Sequence, residues 1–308
     1  MDKNSVTIAI CTYNRAHMLP EVLMSLLGQT VSPENYFLLI IDNNSTDNTQ
    51  QLLASFTDKF TKLHIVLEKN QGLSHARNRA LAECQTEWLA FLDDDAKAHP
   101  NWIETILQTI EKNDFDAFGG PYYAWHHYGP APQWLPEDFG TYESMQEYGL
   151  LKGDTYIPGG NSVLRCEAAR AIGTFSPELG MNGGHCGYGE EAQFFERMRT
   201  AGYRIGYVPQ LKIDHCVLSY KYTLRWQIRS YFEYGKSAVK IGVPIKKFFP
   251  LRFLFHCGRS LLTIITYFFS LKKNEYIGKT IFKNLRPLIW DTGVLYERYI
   301  TPIYRIFS

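Results

Sequence analysis

Three consecutive aspartates, Asp93-Asp94-Asp95, close the apolar run Trp88-Leu89-Ala90-Phe91-Leu92. Like charges at the end of a buried strand are costly unless a cation neutralises them. Side chains at i and i+2 can converge, so Asp93 and Asp95 suit a Mg²⁺ or Mn²⁺ that also holds phosphate oxygens. A second acidic pair, Glu190-Glu191, follows Gly187-Tyr188-Gly189 at the start of a predicted helix. The helix N-terminus favours the ionised carboxylate, and such a group can take a proton from an attacking hydroxyl. Asp214-His215 follows another apolar segment, and His215 would supply a third ligand to the metal that the carboxylates begin to hold. Arg77, in a helix opened by Gly72, can pair bidentately with a diphosphate. Each signal has a plainer reading: a solvated acidic loop, an ordinary helix start, a structural histidine or a surface ion pair.

These residues need elements that bring them together. Val6-Thr7-Ile8-Ala9-Ile10 and Tyr36-Phe37-Leu38-Leu39-Ile40-Ile41 are runs of the kind expected for strands buried on both faces. Leu63 to Leu67 and Trp88 to Leu92 continue the series. Helical patterns intervene: Leu19, Val22, Leu23 and Leu26 share a stripe, Asp47 can cap a helix carrying Leu52, Leu53 and Phe56, and Leu73 to Cys84 forms the third. The alternation implies right-handed crossovers and a largely parallel sheet. Ligands of such sheets sit at the carboxyl ends of the strands. The segments found there are Thr12-Tyr13-Asn14-Arg15, Asp42-Asn43-Asn44-Ser45-Thr46-Asp47 and Asp93-Asp94-Asp95, a chemistry suited to an anionic ligand bridged by a metal.

From about Asp114 to Tyr148 the rhythm breaks into an insert rich in aromatics and prolines, of the kind that is usually functional. Pro158-Gly159-Gly160-Asn161 then makes a tight turn into an apolar strand. Glu190 to Ala201 is a predicted helix, Arg204 to Val208 a strand, and Leu211 to His215 follows. The tail reads as helices studded with Lys and Arg.

The net charge of +1 over 308 residues conceals an asymmetry: from Lys221 onward 16 Lys and Arg face 4 Asp and Glu, a surplus of +12, which leaves −11 on the rest. Such a basic tail suits a membrane surface or another polyanion, or else forms a solvated basic face. Ser260 to Leu271 is uncharged, but its 12 residues fall short of the about 20 a spanning helix needs. An amphipathic element lying in the interface fits better, with packing on the main domain as the alternative. The six cysteines are scattered and lack zinc-site spacing, and the short polar start Met1 to Ser5 is no secretory leader. A reducing cytosol is expected, with Cys186 and Cys216 as buried free thiols.

Read in order, the segments Val6 to Arg15, Ile41 to Asp47, Gly72 to Asn78, Phe91 to Asp95, Gly159-Gly160-Asn161, Gly189-Glu190-Glu191 and His215 resemble the family 2 glycosyltransferases. The resemblance covers about residues 5 to 220. It implies an α/β GT-A fold, Rossmann-like with a mostly parallel central sheet. The catalytic domain would span residues 1–220, with a nucleotide-binding half at 1–113 and an acceptor-binding half at 114–220. A helical basic extension, 221–308, would follow. By position, Thr12, Tyr13, Asn14, Arg15, Asp42, Asn44, Arg77, Asp93 and Asp94 would line the nucleotide-sugar site, with Asp42 accepting from a uracil-type imide. Asp93 and Asp95 look like the D-x-D motif, and with His215 they would hold Mn²⁺ or Mg²⁺. Glu191 stands where the family usually has an aspartate as catalytic base; this departure leaves Glu190 as its rival. Gly160, Asn161 and Trp125 would lie on the acceptor side, bordered by His126, His127 and Trp134.

The resemblance thus implies an inverting transfer of a sugar from a UDP-sugar to a glycan or lipid-linked glycan, and the basic tail suggests that this happens at the cytosolic face of a membrane. No nucleic-acid partner is expected. Processive members carry Q-x-x-R-W and several spans; here Tyr222 stands at the Gln position before Arg225-Trp226, which favours one sugar per encounter. Two other classes compete. A nucleotidyltransferase also pairs acidic metal ligands with a nucleotide pocket, but the sequence lacks a glycine-rich basic loop after the first strand. A non-catalytic nucleotide-sugar binding partner would keep the fold without turnover.

Overall fold

The structure, a computed structural model, describes residues 5–152, 155–182, 187–243, 249–269 and 276–302. Cys186, expected to be a buried thiol, lies outside the described residues. The first part of the chain runs β1 (Val6–Thr12), α1 (Leu19–Leu27), β2 (Phe37–Asp42), α2 (Thr49–Ala54), β3 (Leu63–Leu67), α3 (Leu73–Glu83) and β4 (Trp88–Leu92). Next come β5 (Ala96–Ala98), α4 (Trp102–Lys112), β6 (Ala117–Gly119), β7 (Tyr122–Trp125), β8 (Gly149–Leu150), β9 (Asn161–Arg165) and α5 (Cys166–Ile172). The chain continues through α6 (Glu190–Thr200), β10 (Ile205–Tyr207) and β11 (Ile213–Cys216) into α7 (Leu224–Ile241), α8 (Phe249–Phe269) and α9 (Tyr276–Leu295).

The described residues form two compact units. The first holds 5–125, 140–182 and 190–216; the second holds 126–139, 187–189 and the described residues from 217 on. In the first unit an eight-stranded sheet has the order β3-β2-β1-β4-β9-β6-β10-β8. Its β3-β2-β1-β4 half is parallel, while β9 runs antiparallel to both neighbours.

The inner strands are buried on both faces, because side chains alternate along each strand and helices cover both sides. Ile8, Ile10, Leu38 and Ile40 pack with Leu19, Val22 and Leu23 of α1 and Trp102, Ile103 and Ile106 of α4. Ala9, Leu39, Ile41 and Phe91 face the other way, onto Ala76 and Ala80 of α3 and Phe194, Phe195 and Met198 of α6. A Leu or Ile sealed in such a layer contributes about 1.5–3 kcal/mol relative to exposure. Asn48, not Asp47, is the N-cap of α2; Asp47 stands one residue earlier and still accepts from Thr49 N, the first helical residue, at 3.0 Å. A second sheet, β5-β11-β7, stands beside the first; β5 is antiparallel and β7 parallel to β11.

The second unit is helical. Thr223 Oγ1 caps α7 by accepting from Trp226 N, and Gly242, at φ +86°, ends it in the left-handed region where glycine carries no Cβ penalty. His126 and Trp134 belong here: His126 Nδ1 lies 2.8 Å from the Tyr222 hydroxyl, and the Trp134 ring meets Phe282 edge-on at 5.1 Å. Both, expected to border an acceptor, are half-buried and make these contacts within this unit. No helix among the described residues is long and apolar enough to cross a membrane.

Candidate active site

The acidic run sits on the link between the two sheets. β4 ends at Leu92, and the chain turns tightly through Asp93 to Asp95, with Ala96 N donating to Asp93 O at 3.1 Å, before β5 begins. Because β5 pairs with β11, Ala96 stands opposite His215, and Cys216 N donates to Asp95 O at 2.8 Å. That pairing, between segments far apart in sequence, carries the imidazole to the carboxylates. His215 Nε2 lies 3.3 Å from Asp95 Oδ1 and 3.8 Å from Asp93 Oδ2. One ligand atom from each of Asp93, Asp95 and His215 lies within 4.8 Å of the other two. Two carboxylates and an imidazole suit Mn²⁺ or Mg²⁺, and leave positions for other oxygen ligands.

Electrostatics give the same reading. Burial pushes Asp94 up to about 7, with help from Asp95 and against the nearby Arg15 guanidinium. Burial likewise lifts Glu191 to about 8, reinforced by Glu190 and opposed by Arg77. Asp93 is raised too, first by burial, with Asp95 and Glu191 adding and Arg77 and His215 opposing. The site holds more negative charge than its protein cations balance, and a divalent cation would relieve that imbalance. One carboxylate oxygen, Glu191 Oε2, is buried without a hydrogen-bond partner in the protein.

Arg77 projects from α3 into this cluster. Its guanidinium is buried, 2.6 Å from Glu190 Oε1 and 3.8 Å from Asp93 Oδ1, with the rings of Phe91 and Phe175 each 5.8 Å away. Glu190 is thereby paired with Arg77, while it stays close enough to Glu191 to raise it. The Gly-Gly turn has its reason here. A Cβ at Gly159 would come within 2.5 Å of the Arg77 guanidinium, and one at Gly160 would collide with the Asp93 carboxyl.

Thr12 and Asp42 are buried at the ends of β1 and β2. Asp42 accepts from Ser45 N at 2.9 Å and from the Gln50 amide at 3.1 Å. Asn14, at φ +53°, uses its side-chain oxygen to accept from Thr46 N at 2.7 Å, tying the loop after β1 to the loop after β2. Asn44, at φ +63°, is exposed in that second loop, and Tyr13 is half-buried after β1. Arg15 Nε is 3.7 Å from Asp94 Oδ1.

Two residues expected on the acceptor side are placed as follows. Asn161 is fully buried: its oxygen accepts from Trp102 Nε1 at 2.8 Å, and its amide donates to Pro121 O and Leu211 O at 2.9 and 2.7 Å. It brackets the core, because both ends of its amide are spent there. Trp125 pairs with Cys216, one position beyond His215, so alternation puts it on the opposite face of the small sheet. Lys97 Nζ lies 3.6 Å from its ring centroid.

Sequence reasoning passed over two residues. Asn43, next to Asp42, donates to Glu68 O and Asn70 O and accepts from Gly72 N at 2.8 Å, fixing the entry to α3 and so the root of Arg77. A polar residue doubled at the end of a buried strand was its signal. Tyr122 packs 5.2 Å from the His215 ring, and its hydroxyl is pushed up to about 12 by burial, then by Asp93 and Glu191; it was hidden in an aromatic-rich stretch.

Comparison with known proteins agrees with this architecture. The chain is 31% identical over 239 residues to the succinoglycan biosynthesis protein ExoM of Rhizobium meliloti, covering 75% of this chain and 73% of that protein. It is 28% identical over 253 residues to the glucosyl-dolichyl phosphate glucuronosyltransferase of Haloferax volcanii, covering 78% of each. The fold matches that of the mannosyltransferase PcManGT from Pyrobaculum calidifontis, solved with GDP-Man and Mn²⁺: the TM-score is 0.62 at 16% identity, over 96% of this chain and 87% of that one. Residues 7–173 match the family described as Glycosyl transferase family 2, and with its GT-A architecture this chain belongs to that family of glycosyltransferases.

Proposed function

We propose that this transferase moves a single sugar, with inversion, from a UDP-sugar to a hydroxyl of a glycan or lipid-linked glycan at the cytosolic face of a membrane. The observation that carries the reading is the convergence of Asp93, Asp95 and His215 within 4.8 Å, in a cluster that also raises the buried Glu191. Residues 1–113 bind the nucleotide, 114–220 bind the acceptor, and 221–308 form the basic extension.

Asp95, Asp93 and His215 are the residues that would hold Mn²⁺ or Mg²⁺. When bound, the ion supplies Lewis acidity that offsets charge on a departing diphosphate. Thr12, Tyr13 and Asp42 hold the nucleoside; each Asp42 oxygen keeps a lone pair beyond its internal bond, enough to accept a uracil imide N–H. Asn14, Asn44, Arg15 and Asp94 shape the same pocket. Arg77, expected to face the diphosphate, is paired with Glu190 and lies 3.8 Å from Asp93, so in this reading it acts by positioning that carboxylate, for which Gly160 leaves room. Glu191 Oε2 accepts the proton of the acceptor hydroxyl as its oxygen attacks the anomeric carbon and the bond to the diphosphate breaks. Orientation and charge stabilisation contribute most of the acceleration in such a displacement.

The test is nucleoside diphosphate release from a panel of nucleotide sugars with Mn²⁺. We expect release from a UDP-sugar, its loss in Asp95→Ala, and a fall of about 10²–10⁴-fold in acceptor-dependent transfer for Glu191→Gln. Pyrophosphate release would instead mark a nucleotidyltransferase. Full activity in Asp95→Ala would sink the metal-site assignment.

A further inference from the structure

Helix α8 is built inside out. Four of its polar side chains meet α9: Arg252 and His256 each lie 2.6 Å from an oxygen of the fully buried Asp291, Ser260 Oγ donates to Asn284 O at 3.2 Å, and Asn284 donates to Thr263 Oγ1 at 2.8 Å, while Arg259 borders the other face, its guanidinium 5.9 Å from the Phe255 ring. The outward face carries no polar residue among the described positions. Apart from a proline and a glycine, it consists of Leu251, Leu254, Phe255, Leu261, Leu262 and Ile265, which are 42–64% exposed. Their spacing follows a single helical stripe. In water the hydrophobic effect turns such a stripe inward; here the inward places are held by a hydrogen-bonded ionic network.

We propose that this face of α8 docks into the interfacial layer of a bilayer containing anionic lipid. Charge selects that occupant. The sequence from Lys221 on carries a surplus of +12, and α8 itself has two arginines and no acidic residue. A second copy of the chain would bring like charge to the same face, whereas anionic headgroups complement it. Geometry selects the mode of binding. The stripe runs from Leu251 to Ile265, about 21 Å along the helix, and the face turned to α9 holds Arg252 and His256, paired with Asp291 of that helix. A helix apolar on one side lies in the membrane plane, with the stripe sunk among the upper acyl segments; none of the described helices has the composition to cross. The assignment deepens the membrane placement proposed above and rests on that reading for its orientation only.

The test is co-sedimentation of the full chain with vesicles of phosphatidylcholine alone, or of phosphatidylcholine with phosphatidylglycerol, at low salt and at about 0.5 M salt. Wild type should partition at least about tenfold more strongly to the anionic vesicles at low salt. Leu254→Gln/Phe255→Gln/Leu261→Gln should lose at least about tenfold of that binding, with thermal unfolding and UDP binding unchanged. In an otherwise native chain, Phe255→Trp should shift its emission to the blue on anionic vesicles and be quenched by brominated acyl chains. Absence of binding in wild type, unchanged binding in the triple variant, or a wild-type dimer that the triple variant dissociates would each overturn the proposal. Donor hydrolysis reads separately: vesicle binding without turnover spares this surface and sinks the transferase mechanism, and the converse outcome does the reverse.

Discussion

At Gly160 the absence of a side chain is a requirement of the site, because a Cβ there would occupy the space of the Asp93 carboxyl. Gly160→Ala should therefore push Asp93 away from Asp95 and His215 and weaken Mn²⁺ binding by about tenfold or more, while the far-ultraviolet circular dichroism stays native. A Mn²⁺ titration followed by calorimetry reads the effect; unchanged affinity would mean that Asp93 is not a ligand. The Gly159-Gly160 pair was legible in the sequence as a turn, and Asp93, Asp95 and His215 as candidate ligands. What forces the glycines was not legible. It depends on Arg77 and Asp93 arriving from two other elements, and on Glu190 holding Arg77 at 2.6 Å, contacts that no local pattern encodes. The same reason hid the role of Asn161, which reads as a polar residue beside a functional turn but is consumed by Trp102, Pro121 and Leu211.

Strands β1, β2 and β4 of the parallel half were readable because burial on both faces leaves an almost unbroken apolar run; Trp88–Leu92 is buried at every position, whereas β3 at the sheet edge is largely exposed. The small sheet was not readable to the same degree. Its strands have three or four residues, too few for a period to register, and their partners are remote in sequence. Yet this sheet sets the proposed metal site, since the β5–β11 register places His215 opposite Ala96. Asn161 at the start of β9 braces it, holding the carbonyls of Pro121 before β7 and Leu211 before β11 while also receiving Trp102 of α4. Asn161→Ala leaves one buried donor and two buried acceptors without this partner, so a loss of about 3 kcal/mol is expected, read from the urea midpoint. Because the brace is shared by β7, β11 and α4, Mn²⁺ affinity should fall with it; Asn161→Ala with native stability would show that water replaces the amide.

At the scale of the whole chain, part of the acidic charge that balances the basic tail, Asp93, Asp94, Asp95, Glu190 and Glu191, is gathered where burial makes it costly. Asp94 and Glu191 keep their protons up to about 7 and about 8, against ordinary values of 3.8 and 4.5. Between those limits the folded, metal-free protein binds protons that the unfolded chain has released, so raising the pH must lower its stability. A bound divalent cation favours the ionised carboxylates and opposes this loss. With a chelator present, Tm should fall as pH is raised from about 5 to about 8. With saturating Mn²⁺ the fall should flatten, and the gap between the two curves should widen with pH, because metal binding then displaces fewer protons. Asp94→Asn should remove part of the slope in the chelated protein while leaving Asp93, Asp95 and His215 to bind the ion. Parallel curves with and without Mn²⁺ would show that the buried carboxylates are not coupled to a metal, and that their charge is borne by the fold alone.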